Sequence, residues 1–465
     1  MKSLEALRAQ VENQRTLIPS LYGEVDFSKT PERFTADTQV QSMLPVEFSR
    51  KYRKAILAED ERVERARLYT MLGDNVADAY AALAPKYRVR PLIDMLKKAC
   101  DEGVENVDDA PQELIDFIRS MEHIPDWVDM ALVREGARYS RNMLANLSPF
   151  AIRGAFIATF MNKYSGLPMA LTGTLSGQSA VQRVNETASF FTTAALPGAL
   201  DRYGQGFKAA AMVRLMHSMV RFNLLKRSKK WDVAVYGIPI PQVDQMPAGT
   251  IPAFLAAFNT VRKGKTEFGP RDRAVVELCR YQSYLLGLPE DLLPEKPQEI
   301  FDVMLTYAGT LRDGYDDETC GELVRATMNA YRPKDKSVRS QIFNAAEKGF
   351  SKVFFTRTFL RGNDKSMARR MGVQPGMLDY AMFVASNLYI LPRLNAHMLL
   401  RRVPVVSGIA DQLLIRKLNR LLVEYGHAEY VTDAAKYKDR TVHGSNDTPA
   451  LTADAAAATA TKKTA

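Results

Sequence analysis

Apolar residues along the chain recur at i, i+3, i+4 and i+7, the spacing of one helix face. Alternating β-branched runs closed by Asn-Gly or Asp-Gly barely occur. Helices are expected over 50–85, from Asp126 to Leu147, and over 179–195, 205–226, 250–264 and 270–286. Further on they are expected over 297–311, 318–331, 337–358, 376–400 and 408–426. Pro149–Met161 and Ala381–Leu391 read as buried core helices. Pro125 suits a first turn, with Asp126 as the cap. Leu196-Pro197-Gly198, Phe268-Gly269-Pro270 and Gly287-Leu288-Pro289 mark helix ends. No repeat of fixed period occurs. An all-α protein follows, with one large helical domain over residues 49–431. Residues 1–48 form an N-terminal helical extension that includes the loop Tyr22–Thr38. Residues 432–465 end in TPALTADAAAATATKKTA and are expected to be a disordered tail.

Composition narrows the class. The 465 residues are 46% apolar and 25% charged, which excludes a wholly disordered chain and gives ample length for a large core. The three cysteines, Cys100, Cys279 and Cys320, are widely spaced and form no CxxC. This excludes a disulfide scaffold and a cysteine zinc site, and suits a reducing compartment. The first twenty residues carry no apolar signal region. No apolar run reaches the roughly 18 residues of a membrane span, so a cytoplasmic protein is expected. The net charge of +10 is spread along the chain, with small clusters at Lys226–Lys230 and at Arg401 and Arg402. It leaves room for peripheral contact with an anionic membrane surface. A nucleic-acid partner is not expected, because no basic patch is interleaved with aromatics.

The chemistry centres on histidine, of which there are five. No HExxH occurs, and no two stand at i, i+3 or i+4. A site needing one histidine stays open, and haem on a proximal His is the main example. The helix around His217 is apolar on almost every face, yet Arg214, His217, Ser218 and Arg221 share one stripe. Buried charge needs partners. His217 on iron with Arg214 and Arg221 on propionates would satisfy the stripe; so would a hydrogen-bonded core histidine with the arginines in ion pairs. A second helix puts Arg183, Glu186, Thr187 and Phe190 on one face. Facing a cavity, Glu186 could accept a proton, Thr187 could hydrogen-bond to bound oxygen and Arg183 could supply fixed charge. The loops His123–Asp129 and Trp231–Asp244 read as structural: a capped helix start and a proline-fixed turn. GxSxG, Walker A and Rossmann glycine patterns are missing.

Taken together, PDWVD (125–129), RVNET (183–187), VRLMHSMVR (213–221), a Trp-Asp pair and GIPIPQ (237–242) resemble the rubber oxygenase catalytic domain. That family includes latex-clearing proteins and the endoplasmic-reticulum-bound oxygenase of mycophenolic acid biosynthesis. The similarity spans roughly residues 115–360. The resemblance implies a somewhat globin-like all-α fold around one haem b, with His217 as the proximal iron ligand. It places Arg183 and Thr187 close to the haem on the distal helix. Where latex-clearing proteins have a lysine before that threonine, this chain has Glu186. The stretch Tyr164–Gly173 carries no carboxylate where those proteins have their proposed base. The expected reaction is oxygenation of an apolar isoprenoid or lipid-like substrate by O2, with attack on a C=C bond, which cleavage would follow, or on an activated carbon. Two other readings are a non-enzymatic haem sensor or carrier, and a cofactor-free helical interaction protein.

Overall fold

A computed structural model describes residues 2–44, 46–172, 177–360 and 364–426. The expected disordered tail, with His427 and His443, lies outside the described residues. Within them every regular element is a helix, so the fold is all-α. Among the described residues two isolated bridges occur, Phe34 with Leu311 and Ser42 with Arg312. No helix among the described residues is long and apolar enough to cross a membrane.

Several helices differ from expectation at places set by local chemistry. Residues 50–85 are not one element; they divide into Val46–Leu57, Asp60–Tyr69, Asn75–Ala81 and Ala84–Tyr87. The second break falls at Asp74, which turns the chain and caps the next helix by accepting from the Ala77 amide at 3.2 Å. The helix expected from Asp126 begins at Met130, and its cap is Asp129, whose carboxylate accepts from Ala131 and Leu132. Asp126 is therefore not the cap. The helix expected from residue 250 begins at Gln242 and runs to Arg262 through Pro247 and Pro252. Thr250 Oγ1 donates to the Met246 carbonyl at 2.7 Å, one of the side-chain bonds that support this proline-interrupted stretch.

Two apolar cores flank the region of interest. The larger joins Leu7, Val11 and Tyr22 of the N-terminal segment to Leu92, Phe117, Leu215 and Tyr281. The smaller gathers Phe156, Phe160, Leu323 and Phe355. The helix Gly177–Ala194 spans both, with Phe190 in the larger and Val184 in the smaller. It packs on the helix Gln205–Arg227, which also packs on Asn75–Ala81.

Candidate functional site

The helix Gln205–Arg227 is buried along almost all its middle length. Between Ala209 and Leu224 only Val213, Met216 and His217 are half-buried. They stand at i, i+3 and i+4, so one short face of a core helix stays open, lined by two apolar side chains and an imidazole. On Gly177–Ala194, half-buried Arg183 and Thr187 stand at i and i+4.

The charged members of the His217 stripe are all partnered. Arg214 holds Asp74 through two bonds, Nε to Oδ2 at 2.7 Å and Nη2 to Oδ1 at 2.8 Å. Its guanidinium also lies over the Phe117 ring. Arg221 pairs with Asp78, which accepts in turn from the Tyr22 hydroxyl at 2.6 Å. Arg221 also donates to the carbonyls of Pro239 at 2.9 Å and Ile240 at 2.6 Å. Ile240 sits at φ 47, a strained backbone for a β-branched residue. That strain is held by the guanidinium and falls just before the helix Gln242–Arg262. Gly287, at φ 89, lies against the Arg214–Asp74 pair, where any Cβ would overlap Asp74 Oδ2. The expected propionate partners are thus already neutralised by carboxylates of the chain, which spacing alone had left as the second reading. Their bonds fix the His217 helix to Asn75–Ala81 and to the 237–241 loop.

His217 is oriented by a relay of amides. Its Nδ1 lies 2.9 Å from Gln245 Oε1. Gln245 Nε2 donates to Gln242 Oε1 at 3.2 Å, and Gln242 Nε2 donates to the Gly73 carbonyl at 3.2 Å. A backbone carbonyl only accepts, so the last link sets the direction of all three. Gln245 must present its oxygen to His217, and the imidazole proton must sit on Nδ1. Nε2 then carries the lone pair. The structure records no side chain among the described residues bonding to it, and the residue is half-buried. Burial pushes the His217 pKa down to about 4 against the opposing Gln245 bond, and the charges of Arg221 and Arg183 push it the same way. The ring is neutral near pH 7.

Across from it, Arg183 Nη1 donates to Glu186 Oε2 at 2.9 Å, and Gln182 Nε2 donates to Glu186 Oε1 at 3.0 Å. Glu186 is buried, and both its oxygens are engaged by its own helix. The Thr187 hydroxyl makes no hydrogen bond among the described residues. Arg183 and His217 are brought into one electrostatic neighbourhood. Of the two loops singled out in the sequence, the second carries Gln242 of this relay, and a tryptophan is held in place in each. Trp127 lies under the Arg280 guanidinium, 4.1 Å from its ring centre, and Trp231 Nε1 donates to the Gly237 carbonyl at 2.9 Å.

Residues 147–386 match the family described as ER-bound oxygenase mpaB/B'/Rubber oxygenase, catalytic domain. The chain belongs to this family. The matched span holds Arg183, Glu186, Thr187, His217 and the Gln242–Gln245 relay, and leaves 125–129 outside it. Membership supports an oxidoreductase of the oxygenase class. The fold is similar to that of latex clearing protein LCP in the closed state. The TM-score is 0.54 at 17% sequence identity, over 76% of this chain and 91% of that one. No curated protein matches in sequence.

Sequence reasoning missed Gln245, Asp74 and Asp78. Gln245 lies ahead of residue 250, from which its helix is expected, while that helix begins at Gln242. The aspartates lie 140 and 143 residues before their arginines, but a buried stripe with two positive charges demanded carboxylates somewhere.

Proposed function

We propose that the chain is a haem b-dependent oxygenase that uses O2 on an apolar substrate of isoprenoid or lipid-like chemistry. The observation that carries this is the His217 imidazole: neutral, locked with its proton on Nδ1, and offering a bare Nε2 from the open face of a buried helix. That is the preparation a metal-ligating histidine needs. Among the described residues no three His, Cys, Asp or Glu cluster to hold a metal with protein ligands alone. A single imidazole suffices when a porphyrin supplies the other nitrogens, so the residues fit a haem better than a bare ion. Oxidative attack on a C=C bond accords with the rubber oxygenase family.

In this reading His217 would hold the iron of a bound haem, and Gln245 fixes the ring and raises the basicity of Nε2. A bound haem would supply the binding and activation of O2. Val213 and Met216 give the ligand face an apolar lining. Arg183 brings a positive charge to the site and holds Glu186 in place. Glu186 is the proton acceptor, and the Thr187 hydroxyl is free to donate a hydrogen bond. Arg214 and Arg221 act as anchors of the His217 helix.

The test is incubation of haemin-loaded protein with detergent-dispersed squalene, a short isoprenoid, under ¹⁸O2, with mass spectrometry of the products. Labelled aldehydes or ketones that vanish in His217→Ala support the proposal. Haem uptake without product would favour the carrier or sensor reading. No haem uptake would favour the cofactor-free interaction protein.

A further inference from the structure

The helix Met377–Leu400 turns its apolar side away from the protein. Met377 is 91% exposed and Leu388 74%, and Val384, Leu391 and Leu399 are exposed on the same side. Only Ser386 and Ile390 are buried along its length. At 100° per residue, an arc of about 200° carries no charged side chain. The two charges of this helix, Asp379 and Arg393, fall outside that arc. A helix facing water has the opposite pattern. The next helix, Pro404–Tyr425, which packs on it, exposes Val405, Ile409 and Leu413 at i, i+4 and i+8. At about 1.5 Å per residue the first helix alone is about 36 Å long, so the surface exceeds the scattered apolar exposure of a monomer.

Charge identifies the occupant. Over residues 377–425 the sequence has six Lys or Arg against three acidic residues, Asp379, Asp411 and Glu424. Asp411 is taken by Arg141 at 2.5 Å, Asp379 accepts from Lys352 at 3.2 Å and Arg401 is taken by Glu135 at 3.0 Å, which leaves Arg393, Arg402, Arg416 and Arg420 exposed against Glu424. Arg402 is exposed at the turn between the two helices. A second copy would bring the same excess of cations against this one. An anionic bilayer brings the opposite charge together with an apolar interior. The residues beyond 426 offer little to cover the face, with Tyr430, Val431, Tyr437, Val442 and Leu451 their only large apolar side chains.

We propose that the hairpin of Met377–Leu400 and Pro404–Tyr425 is a docking surface for anionic lipid bilayers, lying in the interface with its apolar arc in the acyl boundary. Arg402 and its neighbours engage the headgroups, an attraction that salt screens. The surface does not depend on the reading of the His217 site.

The full-length protein is sedimented with vesicles of phosphatidylcholine alone and of phosphatidylcholine with 30 mol% phosphatidylglycerol. Binding to the anionic vesicles, at least tenfold weaker at 0.5 M salt and at least tenfold weaker in Leu388→Glu, is the expected result. Leu388 has an exposed side chain, so this variant is expected to keep its helical circular dichroism. If it does not, Leu388→Cys carrying an environment-sensitive dye reports the same insertion by a blue shift on anionic vesicles, the native Cys100, Cys279 and Cys320 being buried. No binding by the native protein, equal binding by Leu388→Glu, or no dye shift would overturn the proposal. So would a concentration-dependent dimer that Leu388→Glu dissociates without any vesicle binding; that outcome would assign the face to a second copy.

Discussion

Gln245 Oε1 lies 2.9 Å from His217 Nδ1, and the direction of that bond is dictated by a backbone carbonyl two amides away, at Gly73. The tautomer of the proposed ligand is therefore built into the loop before the Asn75–Ala81 helix as well as into the histidine itself. Gln245→Leu removes the acceptor and leaves the Nδ1 proton unpaired. Haem affinity is expected to fall about 10–100-fold, as for other partners of metal-bound imidazoles, with helical circular dichroism unchanged. Haemin titration followed at the Soret band measures it; unchanged affinity would mean that the relay does not orient the ligand.

The arginines of the stripe are read as anchors, and this separates them from cofactor contacts. Arg214→Ala leaves Asp74 buried without its partner, and Arg221→Ala does the same to Asp78. Each is expected to cost about 3–5 kcal/mol in urea unfolding of the haem-free protein. If their charges served only a bound cofactor, the haem-free protein would lose little or nothing.

Gly287 tests the same anchor from the other side. Its φ of 89 and its contact with the Arg214–Asp74 pair leave no room for a methyl group. Gly287→Ala is expected to destabilise the haem-free protein by about 2 kcal/mol or more, from backbone strain and displacement of the pair together. Thermal unfolding gives the value, and a neutral substitution would contradict the packing described.

Proton linkage gives a fourth outcome. In the haem-free protein burial holds His217 at about 4, whereas an unfolded imidazole titrates near 6.5. Between these values the unfolded chain binds a proton that the folded chain does not. The stability at stake is fully present above about pH 6.5 and is lost as the pH falls toward 4, by up to about 3 kcal/mol. Urea midpoints of wild type and His217→Ala at pH 7 and pH 4.5 check the sign: the variant is expected to lose less on acidification.

Glu186 is the residue on which the proposed proton transfer depends. Glu186→Gln keeps the shape and a hydrogen bond to Arg183 but no longer accepts a proton. Turnover of squalene is expected to fall about 10²-fold while the Soret spectrum stays as in the wild type. Equal turnover would remove Glu186 from the chemistry and leave it as a holder of Arg183.

Much of this was legible in the chain. Apolar spacing gives the helices, and the stripe of Arg214, His217 and Arg221 on a helix apolar elsewhere marks the region that needs partners. What spacing does not give is which partner arrives. Asp74 and Asp78 come from a short helix far earlier in the sequence, brought there by the packing of Leu7, Tyr22 and Leu215 in one core. Gln245 was hidden because the helix was expected only from residue 250, while the folded chain starts it at Gln242 and carries it through Pro247 and Pro252. Spacing also fails at Asp126 and Asp129: each can cap a helix, and the structure uses the second.

The most direct test is the absorption spectrum of the purified protein, reconstituted with haemin, beside its His217→Ala variant. A Soret band in the wild type that is lost or shifted in the variant is the expected result and would establish His217 as the iron ligand. Identical spectra, or a wild type that takes up no haemin, would contradict it.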